Sequence, residues 1–285
     1  MGAMKPAQNT IKTQNLRLRT LDITPYMGNT HFDLNVYALN LEANFSVGKK
    51  QNHFIQVKVP YYYVQGNLAT KQGIGDISLS YSKPLFKNEL IEVNGTLGAK
   101  IATGNSNLLA ENGKPLPMYY QISLGTYDLV GGVSLIYKDW LFATGFQIPL
   151  FNNPNQNQFK WGSWADTQHA NYVRQYPIAL DLKRMPDMML RIEKSFKLAR
   201  FAWHTGLLNI LHLAEDEITS PQTNLRVRAT GSAGLIVNYL NTFEYRLSIE
   251  KGFRFVWAYK LRTNDITPSG LSREYVLSLG YFQSF

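Results

Sequence analysis

Few residues in this chain have the type and spacing for covalent chemistry. Its five histidines, His31, His53, His169, His204 and His212, stand apart from one another. His204 and His212 are too distant along the chain to serve as a strand pair of metal ligands, and no HExxH, Gly-x-Ser-x-Gly or phosphate-binding loop occurs. The stretch AWHTGLLN (202–209) sets His204 beside a hydroxyl, Thr205, but adjacent residues of a strand face opposite ways. Cysteine is absent, so thiolate metal sites and disulfides fall away. These observations describe a protein that is not an enzyme and needs no metal or cofactor.

What the chain offers instead is charge at alternate positions. Asp76, Lys100 and Asp128 fall at the ends of successive alternating segments and share one parity, so they are expected to meet as a carboxylate, ammonium and carboxylate cluster at one end of an enclosed interior. Glu42, Lys58, Glu92, Arg191, Arg226, Arg228, Glu244 and Arg246 are expected to face the same interior. Their mixed signs describe a wet, polar space rather than an anion ladder. The formal net charge of +9 is scattered and forms no nucleic-acid footprint.

The elements that carry these groups are strands. Asn40, Glu42, Asn44 and Ser46 alternate with Leu39, Leu41, Ala43, Phe45 and Val47. Glu92, Asn94, Thr96 and Lys100 alternate with Ile91, Val93, Leu97 and Ile101, and the same period of two returns in 127–137, 140–150, 225–239 and 243–250. Short links are read at 48–52, 84–90, 137–140, 197–200 and 239–242. Longer Pro/Asn/Gly-rich segments fall near 64–74, 104–124, 151–180, 211–224 and 262–270. This two-sided rhythm predicts an all-β transmembrane antiparallel up-and-down barrel of about twelve strands, with short periplasmic turns and long extracellular loops, in a bacterial outer membrane.

A soluble β-sandwich would alternate too, but a Greek key has no reason to keep short and long links on opposite sides. Aromatics at predicted strand ends (Tyr61, Tyr62, Tyr63, Tyr119, Tyr120, Trp140, Tyr245, Tyr281) suit a membrane girdle. The last segment, REYVLSLGYFQSF, alternates through Tyr281 to Phe285 and looks like the terminal signal read by barrel-insertion machinery, with Gln283 departing from the usual apolar choice. The opening MGAM looks like an added start sequence, and residues 1–14 read as a tail or a plug ahead of a single barrel domain over 15–285.

GIGDISLSYSKPL (73–85), GAKIATG (98–104) and LPMYYQISLGTYDLVGGVSLIY (116–137) resemble, in that order, the MetA-pathway of phenol degradation family, with Ala102 where the family has Pro. The matching residues are Gly73, Gly75, Asp76, Lys100, Thr103, Gly104, Gly125 and Asp128. The resemblance implies an outer-membrane barrel likened to the long-chain fatty-acid channels, with passive uptake of small hydrophobic or aromatic molecules and no catalytic residue. The alternatives are a porin for anionic or sugar-like solutes and a barrel without transport, either an envelope assembly component or a membrane-embedded hydrolase. Phe159, Trp161, Trp164 and Tyr172 in the long segment 151–177 are candidate extracellular ligand contacts. The partners expected are outer-membrane lipid and lipopolysaccharide, a small-molecule solute and the insertion machinery, with no nucleic acid.

Overall fold

A strand shows neighbouring side chains to opposite sides, and here the apolar set faces outward. The computed structural model describes residues 16–30, 32–48, 51–152 and 156–285; the tail or plug expected of residues 1–14 lies outside them. The strands are β1 (Leu16–Asn29), β2 (Asn35–Val47), β3 (His53–Gln65), β4 (Thr70–Ile74), β5 (Ile77–Lys87), β6 (Ile91–Ile101), β7 (Thr126–Tyr137), β8 (Trp140–Asn152), β9 (Asp187–Leu198), β10 (Phe201–His212), β11 (Glu217–Thr219), β12 (Arg226–Arg228), β13 (Gly234–Arg246), β14 (Lys251–Arg262) and β15 (Tyr275–Ser284). Neighbours along the wall pair antiparallel, and β15 returns to β1 from Thr20↔Ser284 to Asn29↔Tyr275. β4 and β5 share one wall position against β3, while β11 and β12 form a separate hairpin. The result is a closed 12-strand antiparallel β-barrel.

One end carries tight links. Lys138 and Asp139 join Tyr137 to Trp140, and Ala199 and Arg200 join Leu198 to Phe201. Lys138 and Ala199 both take positive φ, as the hairpin twist requires. One expected link is corrected: YLNT (239–242) is not a turn, because β13 runs through it and turns only after Arg246. Its polar residues bond across the wall, where Trp203 Nε1 donates to Asn241 Oδ1 (3.1 Å) and Thr205 Oγ1 donates to the Tyr239 hydroxyl (2.9 Å).

Outward residues such as Leu41, Leu79, Leu97, Leu129, Val133, Leu207, Phe255 and Leu279 form an exposed apolar belt. On a soluble sandwich such a surface would be an aggregation hazard; around a closed barrel it is the lipid face. Phe196, Trp203, Phe243 and Phe255 stack in series across β9, β10, β13 and β14 at spacings of 5.0, 6.1 and 6.2 Å. Tyr61, Tyr63, Trp140 and Tyr245 are also exposed on this outer face, and Tyr281 packs edge-on against Phe253. Tyr119 and Tyr120 are not part of a girdle: both are buried in a loop.

The dry core lies in the loops at the other end. Phe32, Leu116, Tyr119, Tyr120, Phe159, Trp164, Val173 and Tyr176 pack on Val36 and Val64, the inward residues at the outer ends of β2 and β3. Polar side chains fasten this cap. Trp164 Nε1 donates to Pro115 O (2.8 Å), Tyr172 hydroxyl to Phe32 O (3.1 Å), and Asn157 Nδ2 to Leu116 O (3.1 Å).

Two measurements check this architecture. A Cβ at Gly206 would press on Ile192 O and lie 2.7 Å from Glu193 Cα, both backbone atoms of β9. Gly206→Ala is therefore expected to cost about 2 kcal/mol in urea unfolding, the usual penalty for overpacking. Burial pushes the Tyr120 phenol from 10.0 up to about 12. A group protonated more strongly when folded contributes stability that is complete below its unfolded value and is lost as pH rises through its folded one. Cap stability should thus be full below pH 10 and fall away towards pH 12, a loss that Tyr120→Phe reduces; phenolate absorbance against pH reads it.

Candidate functional site

Inward positions divide the barrel interior into three tiers. The upper tier, at the loop end, begins where β4 breaks before β5. Lys100 Nζ lies 3.5 Å from Asp76 Oδ2 and 2.9 Å from Asp128 Oδ2, and the Asp128 side chain has 0% exposure. Asp128 also accepts from Gln147 Nε2 and faces Arg184 Nη1 at 4.0 Å. Arg184 in turn binds Asp187 at 2.6 Å, His212 Nδ1 meets Asp187 Oδ1 at 2.6 Å, and His212 Nε2 meets Asp216 Oδ1 at 2.9 Å. The three residues grouped by parity thus open a chain of ion pairs that crosses from β6 to the loop after β10. Arg184, Asp187, His212 and Asp216 had no sequence signal as a group, because two of them sit on loops whose course no periodicity fixes.

The lower tier is charged as well. Glu42 pairs with Lys58 at 3.2 Å, Arg191 with Glu193 at 2.6 Å, and Arg254 with both Glu244 (2.8 Å) and Asp22 (3.3 Å). Glu92 is held by Lys87 at 2.7 Å beside a short turn, and Arg246 ends β13. Arg226 and Arg228 are corrected: they stand exposed on the β12 hairpin strand, where Arg226 donates to Asp181 O, far along the chain path from Glu244. Alternation is as regular in an external hairpin as in the wall, so sequence alone did not separate them.

Between the charged tiers the wall is largely apolar, with Asn238 and Gln147 as polar members. Val130, Met189, Leu208, Ile210, Ile236, Leu240, Val256, Ala258 and Val276 line a cavity of about 500 Å³ on the β7 to β15 side. A wet, polar interior was expected; the charged tiers have that character, and the middle tier adds a largely apolar stretch to it. The cavity roof carries Arg184, Asp187, His212, Asp216, Lys260, Arg273 and Glu274. Its volume falls in the range of small-molecule sites.

The expected aromatic contacts are placed differently. Phe159 and Trp164 are 0% and 1% exposed inside the cap, so neither meets a ligand from solvent. Tyr172 is half-buried there, with its hydroxyl on Phe32 O and 3.1 Å from that of Tyr176. Trp161 alone of the four is exposed, its Nε1 donating to Tyr176 O (2.8 Å). At the far end Tyr281 donates to Gln283 Oε1 (3.0 Å), and Phe285 N donates to Arg19 O (2.9 Å), extending the β1–β15 seam. The hydroxyl that meets His204 is Ser195, across the β9–β10 pair at 2.8 Å to Nδ1, rather than Thr205. Among the described residues no side chain hydrogen-bonds the other ring nitrogen. The described residues likewise hold no metal-ligating group of three.

No protein-family model matches this sequence, and no curated protein matches it. Solved structures do match. An outer membrane channel from Pseudomonas putida F1 aligns over 99% of this chain and 100% of its own, with TM-score 0.64 and 12% identity. The NanC porin covers 93% of this chain and 99% of its own at TM-score 0.50 and 10% identity. The fold is that of outer-membrane barrels. Outer membrane phospholipase A from Escherichia coli aligns at TM-score 0.42 and 6% identity over 95% of this chain and 98% of that one, too slight a likeness to carry chemistry across. An even-stranded closed barrel, an apolar belt and these neighbours place the chain in a bacterial outer membrane, in contact with its lipid.

The upper tier makes a direct prediction. Its side chains at Lys100, Asp76 and Asp128 are 15%, 8% and 0% exposed, so solvent does not screen the pairs as it would at a surface. Lys100→Met should destabilise the barrel by about 3 kcal/mol, because it leaves Asp76 without its ion pair and Asp128 with only Arg184 at 4.0 Å. Adding Asp128→Asn should recover part of that loss in the same urea titration.

Proposed function

We propose that this barrel is a passive channel for small hydrophobic or aromatic molecules. The observation that carries the reading is the apolar middle tier, a cavity of about 500 Å³ whose wall is Val, Leu, Ile and Met rather than the charged lining of an ion path. The motif resemblance to the MetA-pathway of phenol degradation family supports the same solute class, and the channel fold of the Pseudomonas putida neighbour is consistent with it. The charged tiers on either side admit water and ions and keep the solute in register with the apolar wall. Lipopolysaccharide around the exposed loops, and insertion machinery reading the strand that carries Tyr281 and Phe285, belong to this reading as expected partners.

Planar-bilayer recording with a water-soluble neutral aromatic tests it. Phenylacetamide is expected to interrupt the ion current and arabinose to leave it unchanged. Leu208→Asn, in the apolar wall, should shorten the interruptions about tenfold, as a lost apolar contact of this size does. A membrane without current, or one interrupted equally by arabinose, overturns the proposal.

A further inference from the structure

One cation of the cavity roof has no carboxylate partner among the described residues. Lys260 is held by Glu274 at 2.6 Å and by Ser272 Oγ at 2.9 Å. Arg184 is held by Asp187, and His212 by Asp187 and Asp216. Arg273 differs from all of these. Its Nη1 donates only to backbone carbonyls, Gly270 O (2.8 Å) and Ser272 O (3.1 Å), and its buried Nε has no partner. Among the described residues no ion pair joins it to a carboxylate.

The space around Arg273 is kept for it. It enters from the loop before β15, and its Cδ would lie 3.2 Å from a Cβ at Gly28 on β1, so the glycine leaves room for the side chain to lie along the wall. Arg273 thus lines a cavity whose other charged groups are paired with one another and whose lower wall is largely apolar. Beyond the two carbonyl bonds of Nη1 the guanidinium keeps donors to give, and its planar fork matches a carboxylate.

We propose that the cavity is a binding site for a monocarboxylate with an apolar or aromatic body, the carboxylate on Arg273 and the body against Leu208, Ile236 and Val256. The assignment rests on the hydrophobic-channel reading above and narrows it to an amphipathic anion. The separation of functions is physical. The apolar tier holds the body by burial, which a neutral analogue shares, whereas a guanidinium without a carboxylate partner adds an ion pair that only the anion can make.

The test uses the refolded full chain in planar bilayers with an isosteric pair, phenylacetate and phenylacetamide. Phenylacetate is expected to bind about tenfold more tightly, read as concentration for half-block. Arg273→Gln should bring the two to equality, and Arg273→Lys should keep part of the preference. Because Arg273 also fastens the loop, each variant is first shown folded by its heat-modifiable gel mobility, and Arg273→Lys carries the test should the Gln variant not fold. Equal block by both solutes in the parent protein overturns this inference and leaves the channel reading intact. No block by either overturns both. A preference for phenylacetate that survives Arg273→Gln also overturns the inference.

Discussion

In hydrocarbon there is no water to accept a hydrogen bond from an exposed backbone N–H, so every strand must have two neighbours. The seam between β1 and β15 meets that demand, and the rest of the molecule is arranged around keeping the ladder whole. The most exposed weakness is at Pro60 in β3, which has no N–H to give, opposite the break between β4 and β5. Gly75 N donates to Pro60 O (2.8 Å), while Thr103 Oγ1 donates to Gly75 O (2.7 Å) and accepts from Ile77 N (3.1 Å). One hydroxyl mends the ladder where the strand is interrupted. Pro84 lies beside a register shift, where an irregular wall tolerates it.

Closure also dictates the interior. Once apolar residues are spent on the lipid face, alternate positions must point inward whatever their chemistry, and a narrow lumen cannot hydrate many charges. Pairing is the solution in both charged tiers: Asp22, Glu244 and Arg254 below, and the sequence from Asp76 to Asp216 above. Desolvating these groups costs several kcal/mol each, so the pairs hold position more than they add stability. Their function in the fold is to fix the lumen walls and to tie the loop carrying Arg184 onto β9.

Period-two alternation made the barrel legible, because lipid and lumen impose a sharper contrast than a sandwich core does. It also made Asp76, Lys100 and Asp128 legible as one group, since parity and strand order suffice to bring them together. Registry and loop course were beyond its reach. Ser195 meets His204 only through the β9–β10 register. Arg226 and Arg228 alternate in a hairpin outside the wall, and Asn241 and Thr242 look like a turn until β13 is seen to run through them, with Trp203 donating to the asparagine. The aromatic residues of 151–177 looked like a surface because no pattern reveals that two long loops fold onto each other and bury Phe159 and Trp164.

That burial is what makes the interior asymmetric. The cap sits against the inward residues of β2 and β3, so the side of the lumen under β1 to β4 is roofed by packed aromatic rings. The cavity lies under the other side, lined from β7 round to β15. On the proposed channel reading, a solute entering from the loop end passes the roof formed by the segments around Arg184, Asp216 and Arg273 before it meets Leu208 or Ile236. The roof is charged and the wall below it apolar, so passage exchanges hydration for apolar contact in a fixed order. The monocarboxylate proposed above has both characters and would gain at each step, whereas a purely polar solute would find little apolar contact in the middle tier.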